Sequence, residues 1–136
     1  MAGTILIVED DRDCARVMAQ RLRAEGYETL LAQDAYQATR LARHNHPDLI
    51  IMDVGIPAGD GVQVHARLND MPCGAAPVIY VSGRGGDELE MRARELGAAA
   101  VFRKPVDFDE LLRAVNGCMR PRTDAASGAR SPGAWR

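Results

Sequence analysis

At 136 residues, 46% hydrophobic and 26% charged, the chain has the size and composition of one globular domain that builds its core without disulfide or metal staples. A formal net charge of -2 excludes the broad positive field that holds a nucleic-acid backbone, and no apolar run reaches the length of a membrane span. Cys14, Cys73 and Cys118 are odd in number and lack metal-ligand spacing, so they read as free thiols. With no leader pattern after Met1, a cytoplasmic location is expected.

In chain order, five apolar runs of strand length appear: Thr4 to Val8, Glu28 to Ala32, Asp48 to Met52, Pro77 to Val81 and Ala100 to Arg103. Most are continuously apolar rather than alternating, the pattern of strands covered on both faces. Helical spacing fills the intervals. Cys14, Val17, Met18, Arg21 and Leu22 form one stripe, and Ala35, Ala38, Leu41 and Ala42 a second. Val62 to Leu68, Leu89 to Leu96 and Phe108 to Met119 complete the alternation. Gly26 and Gly97 stand just past helix ends, and Asp11, Asp34, Asp60 and Asp107 stand at N-cap positions.

Strands alternating with helices predict an α/β fold: a doubly wound, five-stranded parallel sheet of order 2-1-3-4-5, with right-handed crossovers. Ligands of such sheets sit beyond the carboxyl ends of the strands, where the strand order reverses, here between the first and third strands. After Arg120 the sequence turns to small residues, Pro and Arg without periodicity, so residues 120–136 are expected to form a disordered tail.

At the carboxyl ends named by the topology, the first strand runs into Glu9, Asp10 and Asp11, and the third into Asp53, Val54, Gly55, Ile56 and Pro57. Singly, each acid following the first strand reads as a helix cap, and Asp11 is expected to be one. Together, Glu9, Asp10 and Asp53 converge on one pocket. Three close carboxylates are tolerable only with raised pKa values or a cation, and a hard, oxygen-liganded ion such as Mg²⁺ fits. The fourth strand ends in Ser82 before Gly83, and the fifth leads into Lys104 and Pro105. These add a hydroxyl donor, an open space and a compact positive charge to the same edge. His44 and His46 lie in a loop at the other end and His65 within the third helix; all three read as solvated.

The segments ILIVEDD, DLIIMDVGIPAGDG, PVIYVSGRG and GAAAVFRKP resemble, in order and spacing, the successive signatures of bacterial response-regulator receiver domains, over about Thr4 to Met119. The resemblance implies a receiver domain over residues 1–119 with Asp53 as phosphoacceptor. It also implies Mg²⁺ bound by Glu9, Asp10, Asp53 and the Gly55 carbonyl, with Ser82 and Lys104 engaging the phosphoryl group. Lys104-Pro105 resembles the family's cis peptide. Implied partners are a sensor histidine kinase or histidine phosphotransfer protein and a downstream protein target, without direct nucleic-acid or membrane binding, and with a monomer or a phosphorylation-dependent dimer. The chain departs from the family at Val101, where receivers usually carry Tyr or Phe. Phe102 is no substitute, because neighbouring strand residues point to opposite faces.

A phospho-aspartyl hydrolase also uses an Asp nucleophile and Mg²⁺, but characteristically has a second acid two residues on, where this chain has Gly55. A nucleotide-binding domain wants a glycine-rich loop after the first strand, where this chain has acids. A phosphorylation-switched binding module, not an enzyme of substrate turnover, is therefore expected, either standing alone or as the receiver of a longer regulator.

Overall fold

The structure, a computed structural model, describes residues 3–53, 76–83 and 87–119. Five strands form one parallel sheet: β1 (Thr4–Val8), β2 (Glu28–Ala32), β3 (Leu49–Asp53), β4 (Val78–Ser82) and β5 (Ala100–Arg103). Their order is β2-β1-β3-β4-β5, with every neighbouring pair parallel. Parallel neighbours require crossovers, and the described helices are α1 (Arg12–Ala24), α2 (Ala35–Asn45), α3 (Asp87–Glu95) and α4 (Phe108–Met119). The expected helix over Val62 to Leu68, with Asp60, Gly61 and His65, lies outside the described residues. So do Gly55, Cys73, Arg84 and the segment from Arg120 onward.

The alternation of strand side chains divides the core in two. On one face Leu6, Val8, Ile50, Met52, Val78 and Tyr80 pack with alanines of α2 and with Ala93 of α3. On the other, Ile5, Ile7, Leu49, Ile51, Ile79 and Val81 pack with Ala19 and Leu22 of α1 and Leu111 and Val115 of α4. The central strands are apolar on both sides because helices cover both sides. Arg21 of α1 lies over the Phe108 ring, 4.1 Å from its centroid, and the Tyr27 hydroxyl donates to Asn116 Oδ1, joining α1 and the turn before β2 to α4.

Helix ends follow the local chemistry. Asp11 caps α1 by accepting from the N–H groups of Asp13 and Cys14, and Asp34 caps α2 by accepting from Gln37. Asp107 accepts from the N–H groups of Asp109 and Glu110 at the start of α4. Gly26 and Gly97 take positive φ values of 98° and 91° after α1 and α3. His46, at φ 47° after α2, is left-handed without being glycine.

Strands β3 and β4 begin and end one residue later than the apolar runs suggest. Asp48 precedes the β3 ladder, with its carboxylate accepting the Thr4 N–H at 2.9 Å. At the other end the ladder pairs Asp53 with Val81 and Ser82 with Arg103. Both candidate site residues are therefore held inside the sheet.

Candidate functional site

The site is assembled by strand ends. Glu9 follows β1 directly and stays in register, its N–H donating to the Ala32 carbonyl at 2.9 Å. Asp53 closes β3, Ser82 closes β4, and Lys104 follows β5 with its N–H donating to the Ser82 carbonyl at 2.9 Å. Four neighbouring strands thus deliver four polar residues to one edge, on backbone that the ladder fixes.

Glu9, Asp10 and Asp53 each bring a carboxylate oxygen to within 4.8 Å of the others. Glu9 is buried, Asp53 is half-buried and Asp10 is exposed, so the cluster opens to solvent on one side. Lys104 reaches two of these carboxylates. Its Nζ lies 2.9 Å from Glu9 Oε1 and 3.3 Å from Asp53 Oδ2. Its aliphatic stem passes Gly83 so closely that a Cβ there would sit 3.3 Å from Lys104 Cδ. Gly83 thereby leaves room for the lysine as well as for an incoming group. The Lys104-Pro105 peptide is cis.

The electrostatics follow from burial. Burial is the largest influence on Glu9 and pushes its carboxyl up to about 6, against the pull of the Lys104 ammonium and of the Asp11 N–H, with the Asp53 charge adding to the rise. Burial draws the Lys104 ammonium downward, but its hydrogen bond to Glu9 and the charges of Asp53 and Glu9 outweigh it and hold the pKa above that of an ordinary lysine. Two of the three carboxylates share the Lys104 ammonium, so the cluster carries surplus negative charge among oxygen donors only. That donor set fits a hard divalent cation.

His44 lies in the last turn of α2 rather than in the loop expected for it, and His46 caps that helix; both are exposed and take no part in the site. Cys14 and Cys118 are free thiols. Residue types alone did not reveal that Glu9 is the nearest carboxylate to Lys104. The available signal was its length, since glutamate reaches one methylene further than aspartate from the end of β1.

The sequence profile of the response regulator receiver domain matches residues 5–116. The chain belongs to the response regulator receiver family. It is 32% identical over 116 residues to the polar-differentiation response regulator DivK of Brucella ovis, an alignment covering 85% of this chain and 94% of DivK. It is 33% identical over 125 residues to the transcriptional regulatory protein PrrA of Mycobacterium bovis, covering 92% of this chain and 53% of PrrA. Thus the receiver spans nearly all of DivK but about half the length of PrrA. Among solved structures, a CheY-like receiver domain protein from Methanospirillum hungatei superimposes with a TM-score of 0.80 at 27% identity, covering 85% of this chain and 92% of the other. The non-phosphorylated HemR receiver domain from Leptospira biflexa gives 0.78 at 27% identity, with coverages of 87% and 94%.

Receiver domains are signalling modules of two-component systems, and no helix among the described residues is long and apolar enough to cross a membrane. The departure at Val101 has a structural expression. Val101 packs against the α2 and α3 side of the receiver's sheet, whereas Phe102 packs against the α1 and α4 side, so the two are not interchangeable.

Proposed function

We propose that this receiver accepts a phosphoryl group on Asp53 from the phosphohistidine of a sensor kinase or histidine phosphotransfer protein, and signals by changing a protein-binding surface. The observation that carries the reading is the junction at the carboxyl ends of β1 and β3: the Lys104 ammonium and the carboxylates of Glu9 and Asp10 gathered around that of Asp53. In the step, a carboxylate oxygen of Asp53 attacks phosphorus, the bond from phosphorus to the donor's imidazole nitrogen breaks, and its electron pair leaves with the imidazole. The product is an acyl phosphate.

Glu9, Asp10 and Asp53, together with the Gly55 carbonyl that the family resemblance implies, would hold Mg²⁺. Bound there, the ion supplies positive charge that offsets the charge gathered on the transferring phosphoryl oxygens. Lys104, 3.3 Å from Asp53, neutralises part of the same charge, while its pairing with Glu9 fixes where the ammonium points. Ser82, held in the ladder beside Arg103, donates its hydroxyl to a phosphoryl oxygen. The gain in charge at Asp53 then biases the surface around α3 and β5, which a downstream protein reads.

The test is phosphorylation with Mg²⁺ and either acetyl phosphate or a phosphorylated histidine kinase. Wild-type protein should acquire one base-labile phosphoryl group, and Asp53→Asn should acquire none. An equal adduct on the variant would refute the assignment.

A further inference from the structure

Tyr80 heads the fully buried side chains in volume, with 0% of its surface exposed. It precedes Ser82 by two residues on β4, so both side chains leave the same face of the sheet about 7 Å apart along the strand. Its ladder partners are Met52 on one side and Val101 on the other. Ala93 of α3 belongs to the same packed cluster, and Val101 and Leu96 pack against it. A large ring therefore stands between the row that carries Ser82 and the small side chains of β5 and α3. Interiors are close-packed, so a ring of this size cannot move without displacing what it touches.

We propose that Tyr80 is a positioning residue that couples Ser82 to the face formed by α3 and β5. The inference rests on the reading of Asp53 as phosphoacceptor and of Ser82 as a contact of its phosphoryl group. As Ser82 closes on that group, the end of β4 moves with it, and the ring one row below presses on Val101 and the Ala93 side of α3. Volume decides such a displacement, so the bulk of the ring carries the coupling. The face it reaches bears Met91, 59% exposed, and Glu90, which pairs with Arg94 and bridges to Arg103 of β5. A small rotation of α3 therefore changes both an apolar side chain and a set of charges that a partner protein would meet.

The experiment uses the full chain labelled with 3-fluorotyrosine, its three tyrosine signals assigned with Tyr27→Phe and Tyr36→Phe. Mg²⁺ and beryllofluoride, which a carboxylate holds in place of a phosphoryl group, are then added. Bound fluoride measures occupancy at Asp53, separately from the tyrosine signals. The expected result is a Tyr80 resonance that moves in step with occupancy. In parallel, amide shifts of Arg92 to Arg94 are retained in Tyr80→Phe and reduced at least about threefold in Tyr80→Leu at full occupancy. A Tyr80 resonance that stays in place at full occupancy overturns the coupling, as do undiminished α3 shifts in Tyr80→Leu. Absence of bound fluoride overturns the reading of Asp53, and the coupling with it.

Discussion

Lys104 Nζ stands 2.9 Å from Oε1 of the buried Glu9, closer than its 3.3 Å approach to Asp53 Oδ2. Removing the ammonium strands a buried carboxylate beside two others. In metal-free protein at neutral pH, Lys104→Met is expected to lower stability by about 1–2 kcal/mol, below the range for a wholly buried pair because the lysine side chain is 31% exposed. The same change removes a competitor for the carboxylates, so Mg²⁺ affinity should rise roughly threefold or more. Urea unfolding with and without Mg²⁺ checks both; equal stability of variant and wild type in chelator would show that the pair does not hold the apo site together.

Glu9 gives the apo protein a distinctive pH dependence. Its folded-state pKa of about 6 lies above the ordinary 4.5, so the folded chain binds this proton more tightly than the unfolded chain does. The resulting stabilisation is fully present below pH 4.5 and is lost as the pH rises through 6. Against Glu9→Gln, metal-free wild type should lose up to about 2 kcal/mol between those limits. Asp11 acts in a separate window: its caps to Cys14 and Asp13 lower its pKa below 3.8, so its contribution is present above that value and fades as the pH falls further. Denaturation series at pH 4.5, 6 and 7.5 in chelator decide the matter, and a flat difference between wild type and Glu9→Gln would contradict it.

His46 adopts φ 47° and ψ 62° at the C-terminal end of α2, with its N–H donating to the Ala42 carbonyl at 3.0 Å. A Cβ makes that conformation costly, and glycine removes the cost while adding freedom to the unfolded chain. The two effects oppose each other, and the strain is the larger. His46→Gly should stabilise by about 0.5 kcal/mol and raise the melting temperature by about 1–2 °C. A lower melting temperature would mean that the imidazole makes a contact outweighing the strain.

The parallel sheet was legible because Ile5 to Val8, Leu49 to Met52 and Val78 to Val81 are apolar on both faces, and only a doubly covered strand requires that. The acid site was legible because strand order converts distant residues such as Glu9 and Asp53 into neighbours. Residue identity alone could not disclose how Lys104 divides itself between two carboxylates, which depends on side-chain lengths and on the space beside Gly83. Tyr80 was hidden for a similar reason. Within an apolar run it reads as one more strand residue, and its place between Met52 and Val101 follows only from register.

Asp10 is the exposed member of the acid cluster, and this makes it the cleanest probe of the cation. Substituting the buried Glu9 would disturb the Lys104 pair, and substituting Asp53 would remove the proposed acceptor, but Asp10→Asn changes one carboxylate oxygen at the solvent side and little else. If the cluster holds Mg²⁺, the ion binds the folded chain alone and stabilises it by RT ln(1 + [L]/Kd), about 2.7 kcal/mol at a hundredfold excess over Kd. Wild-type protein should therefore melt progressively higher as Mg²⁺ is added. Asp10→Asn loses a charged oxygen donor, so its curve should shift to roughly tenfold higher Mg²⁺ or more, equivalent to about 1.4 kcal/mol of binding. Losing one of three like charges also relieves repulsion, so in chelator the variant should melt at or slightly above the wild-type temperature. The two effects have opposite signs, and a general loss of folding cannot imitate the pair. A variant that responds to Mg²⁺ just as wild type does would remove Asp10 from the cation site.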